Sequence, residues 1–361
     1  MKRAVLCVSN PYDYIDQFDN YSLMIINPEA PVHRKQYLLD RADWSILITN
    51  NGTQYRDGGD YPNERLFWYT SGTTGDSKFC SFTQKQVDIL ANNIVNSYNI
   101  TSNDRYVGIM PLWHAHGQGF YWATQLAGCE TKFLPISEIR NIANYSPTFI
   151  TAVPDILRVI GQLSFDNLRF IRGASAPMSN NLYQYLKDKF NVPVIEAFGM
   201  TEALSHCFTN PLSGEQRIGT IGLPDGVEAD IIDQQLYIQG PTLFTSGWYN
   251  TGDLAARDEK GYYYILGRSI DRVNIKGYKI DPLSIEQQLK EKISEIEDCV
   301  IFGSQQINCI YTGDVDRLAV SKALTDIHNF CKPKFIEQHN TIPLVNGKIS
   351  RKWLQEKFKC R

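Results

Sequence analysis

No stretch of this 361-residue chain approaches the roughly 18 consecutive apolar residues that a membrane-spanning helix requires. The apolar segment within Met1–Ser9 is too short for a secretory signal and instead predicts a first strand. The formal net charge is only −3, so the chain also lacks the basic excess that is typical of nucleic-acid-binding proteins. We therefore expect a protein that has neither a membrane nor a nucleic acid as its partner.

The chain is also poor in groupings of metal-binding or disulfide-forming residues. Its eight cysteines lie far apart and form no CxxC pair, which disfavours metal clusters and disulfide frameworks and predicts a reducing, cytoplasmic location. His114 and His116 form an HxH pair, and histidine is a common metal ligand. Because no third ligand lies nearby in the sequence, zinc binding is disfavoured, and His116 is interpreted as a structural residue.

A loop rich in hydroxyl groups and glycine follows the strand-like run Arg65–Tyr69 and ends at Lys78. Hydroxyls and open backbone N–H groups bind polyphosphate oxygens, and glycine lets the main chain approach them closely. The P-loop signature GxxxxGK[ST] has its lysine directly after the second glycine, whereas two residues separate Gly75 from Lys78. The alternatives are a nucleoside triphosphate site of another kind or an ordinary surface loop. The candidate phosphate-binding residues are Thr70, Ser71, Gly72, Thr73, Thr74, Gly75 and Lys78.

Apolar runs alternate with amphipathic segments through the first two-thirds of the chain, which predicts an α/β fold. Thr83 predicts the N-cap of a helix that ends near Tyr98, and Asp281 predicts the N-cap of a helix that ends near Ile293. A change of pattern places the predicted boundary between a large layered α/β domain, 1–267, and a small α+β domain, 268–361. Strands are predicted at Phe149–Val153, Leu168–Ile171, Val192–Ala197, Leu236–Ile238 and Tyr262–Leu266.

Six segments in a fixed order resemble the signatures of the adenylate-forming superfamily, which comprises acyl- and aryl-CoA ligases, peptide-synthetase adenylation domains and luciferases. Any one short motif also occurs by chance in other proteins, so the ordered set carries the resemblance. Ser77 and Phe79 stand where the family usually has proline and glycine, and Ile270 stands where a hinge aspartate is usual. The segments are Tyr69–Lys78, Pro111–Gly117, Gly173–Pro177, Phe198–Glu202, Tyr249–Asp253, and Gly267–Glu286 together with Asn346–Arg351.

The resemblance implies that a large domain binds ATP, Mg²⁺ and an acid, and that a small mobile domain carries the catalytic residue Lys348. An ammonium group beside the reacting α-phosphate stabilises most strongly the negative charge that builds up in the transition state. Only 68 residues precede Tyr69, fewer than is usual, so the resemblance also implies a member shortened on its N-terminal side.

Further roles follow from the same resemblance. Thr201 is expected to donate to the α-phosphate, and Glu202 to bind Mg²⁺, because this hard cation prefers carboxylate and water oxygens. The remaining expected contacts are Gly173, Ala174, Ser175, Phe198 and Gly199 for adenine, Asp253 and Arg268 for ribose, His114 and Gly117 for the acid, and Gly277 for the thiol channel.

The implied activity is that of an acid–thiol ligase. ATP would activate a small aryl or acyl carboxylic acid as acyl-AMP with release of pyrophosphate. The acyl group would then pass to a pantetheine thiol of coenzyme A or of an acyl or peptidyl carrier protein. Amino-acid adenylation is less favoured, since Pro111–Gly117 contains no acidic residue to pair an α-ammonium. The competing class is a nucleotide- or acyl-adenylate-binding protein without catalysis.

Overall fold

The structure is a computed structural model that describes residues 1–70, 78–275, 278–304, 306–325, 332–345 and 348–358. Its internal contacts divide the chain into two compact units. The first unit comprises Met1–Met178, Gln184–Ala229 and Ile238–Tyr249. The second unit comprises Ser179–Tyr183, Asp230–Tyr237 and Asn250–Arg361. The boundary predicted after Gly267 stays a prediction, and this division assigns 250–267 to the second unit.

The first unit begins with a six-stranded sheet in which the predicted first strand lies near the centre. The strand order is four-three-one-two-five-six. The first strand pairs in parallel with the second and third, whereas the two edge strands are antiparallel to their neighbours. The elements are β1 (Lys2–Cys7), β2 (Tyr21–Ile25), α1 (Val32–Ala42), β3 (Ile46–Thr49), β4 (Gly52–Tyr55), β5 (Leu66–Tyr69) and β6 (Phe79–Phe82).

A second sheet of seven strands follows. Five neighbouring strands are parallel, and two short antiparallel strands extend one edge. In chain order the elements are α2 (Gln84–Tyr98), β7 (Arg105–Gly108), α3 (Ala115–Ala127), β8 (Glu130–Phe133), β9 (Phe149–Ala152), α4 (Pro154–Ile160), β10 (Phe170–Gly173), α5 (Asn180–Phe190), β11 (Val194–Phe198), β12 (Phe208–Thr209) and β13 (Leu223–Pro224). The sheet order is β13-β12-β11-β10-β9-β7-β8.

Local sequence signals explain several of these elements. The predicted cap of α2 is confirmed, since Thr83 accepts from the Gln86 backbone N–H and the Gln86 side chain accepts from the Thr83 backbone N–H. The two strands predicted before Gly173 and Phe198 begin two residues later than expected and reach both residues. Two predicted nucleotide-binding segments therefore start at carboxyl ends of parallel strands, where open α/β sheets bind ligands.

Smaller elements complete the chain. A four-stranded sheet has the order β14 (Glu228–Ile232), β15 (Gln235–Gln239), β16 (Tyr249–Arg257) and β17 (Tyr263–Arg268). The later elements are β18 (Val273–Ile275), β19 (Tyr278–Ile280), α6 (Pro282–Lys292), β20 (Asp298–Gly303), β21 (Ile307–Thr312), α7 (Arg317–Ala323), β22 (Phe335–Gln338), β23 (Leu344–Val345), β24 (Lys348–Ile349) and α8 (Arg351–Lys357). Short 3₁₀ helices lie at Pro11–Asp13, Ile15–Phe18, Ile136–Tyr145, Thr201–Ala203 and Ser269–Asp271.

The start of α6 corrects one expectation. Asp281 precedes the helix as predicted, but its side chain makes no capping hydrogen bond. Instead its two carboxylate oxygens accept from Nε and Nη2 of Arg272, at 2.6 and 3.0 Å. The bidentate ion pair is the stronger interaction and takes the carboxylate away from the helix terminus. Among the described residues, no helix is long and apolar enough to cross a membrane.

Candidate functional site

The base of the predicted phosphate loop is the end of an antiparallel hairpin. Strands β5 and β6 pair Tyr69 with Phe79, and the Thr70 backbone N–H donates to the Lys78 carbonyl at 2.8 Å. The hairpin thereby fixes both ends of the loop at the same place. The remaining loop residues predicted to bind phosphate lie outside the described part of the chain; they are Ser71, Gly72, Thr73, Thr74 and Gly75.

Lys78 joins this loop to a segment far along the chain. Its Nζ donates to the hydroxyl of Tyr249, the first residue of β16, at 2.9 Å. This hydrogen bond raises the pKa of Lys78, and the nearby Glu202 carboxylate raises it further. Lys78, Tyr249 and Glu202, which belong to three separate motifs, therefore lie close enough in the first unit for Tyr249 and Glu202 to influence the charge of Lys78.

The turn that carries Thr201 and Glu202 depends on a close backbone approach. A Cβ atom on Gly199 would lie 1.7 Å from the carbonyl oxygen of Ser205, so only glycine fits there. The Ser205 backbone N–H donates to the Met200 carbonyl at 2.8 Å and closes the turn. The predicted adenine contact Gly199 thus has a packing role of its own, and its ligand role stays a prediction.

Glu202 has the properties that a magnesium ligand needs. It is half-buried, and its backbone carbonyl is fixed by the Phe244 N–H at 2.9 Å. No hydrogen bond or ion pair joins its carboxylate to another residue that the structure describes. A carboxylate left available beside Lys78, which is predicted to bind phosphate, fits Mg²⁺, because this ion typically takes one or two carboxylates together with phosphate and water oxygens.

The segment Gly173–Ser175 begins at the last residue of β10. The Ala174 N–H donates to the Ala152 carbonyl at 3.2 Å, and a Cβ on Gly173 would meet the end of the Met178 side chain. Ser175 is exposed and has a φ of +70°, a left-handed conformation that is uncommon for serine. Its hydroxyl lies 3.1 Å from Nδ1 of His116 and thus connects the predicted adenine segment to α3.

His116 is a buried, neutral hydrogen-bonding residue. Its Nε2 accepts from the Arg172 guanidinium at 3.1 Å and lies 2.7 Å from the Thr151 hydroxyl. Burial and the positive charge of Arg172 hold the pKa of His116 well below its usual value. Because Nε2 is an acceptor, Nδ1 carries the proton and donates to Ser175. Within the described ranges, no group of three or more potential ligands could hold a metal ion.

Arg172 was missed by the sequence analysis. It is 1% exposed, and its Nε donates to the Tyr98 hydroxyl at 2.7 Å while Nη1 also donates to Thr151 at 3.2 Å. The rings of Tyr98 and Phe120 lie 5.7 and 5.1 Å from the guanidinium carbon. A charged residue at the end of the apolar strand before Gly173 was the available signal.

The predicted acid-pocket residues lie at the start of α3. His114 is exposed and precedes the helix, without a capping hydrogen bond from its side chain. A Cβ on Gly117 would lie 2.4 Å from the Pro111 carbonyl oxygen, so this glycine packs the helix against the preceding turn. Two residues farther on, a Cβ on Gly119 would lie 2.5 Å from Ser205 Oγ, so α3 also packs against the turn that follows Glu202.

Phe198, the predicted adenine-stacking residue, ends β11 and is half-buried. Its ring forms an edge-on contact with Phe208 at a centroid distance of 5.9 Å. Two residues earlier, the Glu196 carboxylate accepts from the Gly219 N–H at 2.8 Å, and burial raises the pKa of Glu196 to about 7. Glu196 was also missed, because its burial depends on contacts distant in sequence.

In the second unit, the predicted ribose contacts are cross-strand partners. Asp253 on β16 faces Arg268 on β17, and Arg268 Nε lies 3.1 Å from the Asp253 carboxylate. Asp253 is buried, while the Arg268 side chain is 47% exposed. Arg268 Nη1 also donates to the Thr251 carbonyl at 2.8 Å, which fixes the guanidinium beside the carboxylate.

The other predicted residues of this unit are placed by their backbone. Lys348 begins β24 and pairs with Val345 in a short hairpin. Gly277 lies outside the described residues, between β18 and β19. Ile270, at the usual hinge position, is 56% exposed, and its neighbour Asp271 accepts from Arg351 at 2.8 Å.

Curated relatives of this chain include acid–CoA ligases. Residues across 81% of the chain are 28% identical to the oxalate–CoA ligase of Arabidopsis thaliana, covering 67% of that protein. Residues across 62% of the chain are 29% identical to the sulfoacetate–CoA ligase of Cupriavidus necator, covering 51% of it. The chain thus spans between half and two-thirds of the length of these relatives.

Solved structures share the fold over nearly the whole chain. ATP-bound MatB from Rhodopseudomonas palustris superposes with a TM-score of 0.87 at 19% identity, covering 99% of this chain and 89% of that one. The O-succinylbenzoate coenzyme A synthetase MenE from Bacillus subtilis, in complex with ATP and magnesium ion, gives 0.85 at 19% identity, covering 98% and 89%. The α/β class and the resemblance stated from sequence are confirmed. The model of the AMP-binding enzyme family matches residues 62–245, which are more than half of this chain. The chain therefore belongs to the AMP-binding enzymes of the adenylate-forming superfamily.

Proposed function

We propose that this protein activates a small carboxylic acid with ATP, releases pyrophosphate and transfers the acyl group to the thiol of coenzyme A. The observation that supports the proposal best is the meeting of Lys78, Tyr249 and Glu202 in one unit. These residues come from three motifs of a family whose members bind adenine nucleotides. An ammonium, a hydroxyl and a carboxylate are the kinds of group that suit a site for a magnesium-bound triphosphate.

The described residues of the first unit can position the triphosphate. Lys78 supplies positive charge and N–H donors for the β- and γ-phosphates, which must leave as pyrophosphate. Glu202 and phosphate oxygens would hold Mg²⁺, which supplies charge neutralisation between the phosphates. Thr201, on the turn fixed by Gly199 and Ser205, is proposed to donate to the α-phosphate. Fixed donors of this kind stabilise a transition state without reorganisation.

The second unit contributes the remaining proposed roles. The Asp253 carboxylate, fixed by Arg268, accepts from the ribose hydroxyls. Lys348 supplies the ammonium that stabilises charge on the α-phosphorus as the acid carboxylate attacks. Gly277 is proposed to let the pantetheine arm approach closely.

The proposed acid is a short molecule with a second anionic group. The curated relatives named above act, by their names, on oxalate and sulfoacetate, which both carry two anionic groups. In this chain the buried Arg172 has no carboxylate among its hydrogen-bond partners in the described residues. Its positive charge lies one residue before the segment Gly173–Ser175 and contacts α3, the helix of the predicted acid pocket.

Coenzyme A is the proposed acceptor because the relatives are coenzyme A ligases; a carrier protein is the competing acceptor. A cytoplasmic location is proposed because the six cysteines within the described ranges are free and buried.

The deciding experiment measures pyrophosphate release with ATP, Mg²⁺ and a panel of acids. The panel contains oxalate and sulfoacetate, together with acetate, benzoate and amino acids. We expect the wild-type protein to release pyrophosphate only when a suitable acid is present. Lys348→Ala should abolish this release while ATP binding persists. Glu202→Gln should weaken the release by raising the concentration of Mg²⁺ that it requires. Acyl transfer is then compared with coenzyme A and with a phosphopantetheine-loaded carrier protein. ATP binding without turnover across the panel would instead identify a non-catalytic binder.

A further inference from the structure

Tyr249 reaches the phosphate-loop lysine from a position 171 residues farther along the chain. Its hydroxyl accepts from Lys78 Nζ at 2.9 Å, and its ring forms an edge-on contact with Phe244 at 5.5 Å. Phe244 in turn donates its backbone N–H to Glu202. One aromatic side chain therefore contacts both the lysine of the loop and the residue that fixes the Glu202 turn.

The hydrogen-bond directions leave donors available to a ligand. Burial raises the pKa of Tyr249, so the hydroxyl keeps its proton at neutral pH. Since the hydroxyl oxygen accepts from the ammonium, its own proton points elsewhere, and no described residue accepts it. Lys78 likewise donates one of its three N–H groups to Tyr249 and none of the other two to a described residue.

The lysine needs such a partner because it is exposed and its side chain is long. A long Lys side chain loses rotamer freedom when it is ordered, and this loss of entropy opposes binding. The contact with Tyr249 orders Lys78 before any ligand arrives, so a ligand need not compensate for this cost. The substitution Tyr249→Phe would keep the ring contact but would leave the ammonium without its acceptor.

We propose that the Tyr249 hydroxyl is a positioning group of the triphosphate site, which holds Lys78 in place and adds one O–H donor for the β- and γ-phosphates. This inference rests on the proposed function. It assigns a role to the side chain that begins β16, for which the sequence analysis predicted nothing beyond its membership of a motif. The ligand class is a polyphosphate: ATP or pyrophosphate, as opposed to AMP.

The test compares nucleotide affinities of Tyr249→Phe with those of the wild type by calorimetry in Mg²⁺. Loss of one hydroxyl hydrogen bond predicts a Kd for ATP that is about three- to tenfold higher. The Kd for AMP should stay within about twofold, since AMP lacks the phosphates in question. The KM for the acid and the melting temperature should also be unchanged. Tyr185→Phe, which removes a hydroxyl bonded to the Gly161 carbonyl, serves as the matched control.

A double-mutant cycle with Lys78→Met separates positioning from independent contact. In the Lys78→Met background, Tyr249→Phe should weaken ATP binding much less than in the wild-type background. An unchanged Kd for ATP in Tyr249→Phe, equal loss of ATP and AMP binding, or full additivity with Lys78→Met would each overturn the inference. Wild-type protein that fails to bind ATP would instead overturn the proposed function.

Discussion

Replacing Arg351 with methionine should destabilise the second unit strongly, because Arg351 neutralises a buried carboxylate. Its Nη2 donates to both oxygens of Glu286 at 2.7 Å, and Nη1 donates to Asp271 at 2.8 Å. Glu286 is only 5% exposed. Burial opposes the charge of Arg351, yet the two carboxylates raise its pKa overall. The guanidinium therefore stays charged in the folded protein.

The expected magnitude follows from what Glu286 retains. Without Arg351, its carboxylate keeps one backbone donor, the Ile301 N–H at 2.7 Å, and loses its counter-ion. Removing one partner of a buried ion pair costs about 3–5 kcal/mol. With a urea dependence of about 2 kcal/mol per M, the unfolding midpoint should fall by about 2 M. Arg317→Met, at the exposed start of α7, should change stability by less than about 0.5 kcal/mol.

The assay can follow the second unit by itself. The chain has six tryptophans, of which Trp353 alone lies in 250–361. In protein labelled with 5-fluorotryptophan, the ¹⁹F resonance of Trp353, assigned with Trp353→Phe, reports unfolding of this unit in urea. A midpoint for Arg351→Met within about 0.3 M of that for Arg317→Met would refute the reasoning. Adding Glu286→Gln to Arg351→Met should recover part of the loss, because the stranded charge is removed.

Two further predictions concern the first unit. The pKa of His116 is depressed, so the folded protein excludes a proton that the unfolded chain binds below about pH 6.5. The free energy of unfolding should therefore fall as the pH drops from 7 to 5. For this residue the fall should be up to about 1.4 kcal/mol per pH unit. In urea titrations, His116→Gln should lose stability less steeply over this range than the wild type or the exposed His33→Gln; an identical slope would contradict the assignment. Gly199→Ala should displace the turn that carries Thr201, because the added Cβ would lie 1.7 Å from the Ser205 carbonyl oxygen. Acid-dependent pyrophosphate release should then fall about a hundredfold. Turnover at the wild-type rate would contradict the steric argument.

Much of the framework follows from signals that are local in sequence. Thr83 and Gln86 form a capping box within one turn, and apolar runs become the parallel strands that carry Gly173 and Phe198 at their carboxyl ends. The same local reasoning failed for Asp281. There a competing arginine, nine residues upstream, binds the carboxylate that would otherwise cap the helix.

The contacts that make the site chemically specific are long-range, and spacing along the chain cannot reveal them. Lys78 and Tyr249 are separated by 171 residues, and His116 and Arg172 by 56. Each pair joins residues that lie on different segments of the fold. The sequence could therefore identify Lys78 as a candidate site residue and His116 as a structural one, but it could not identify the tyrosine and the arginine that contact them.

The motif glycines show how the local sequence signals and the long-range contacts are connected. Glycine in a signature is usually interpreted as room for a ligand, yet a Cβ on Gly117 or Gly199 would collide with a backbone carbonyl, that of Pro111 or Ser205. Gly117 thus allows α3 to pack closely, and Gly199 does the same for the turn that carries Thr201 and Glu202. Matching them in a sequence predicts the shape of the backbone around the site. The chemistry depends on the side chains that this shape brings together, and substitutions at Tyr249 or Glu202 should therefore alter ligand binding with little loss of fold, whereas substitutions at the glycines should alter both.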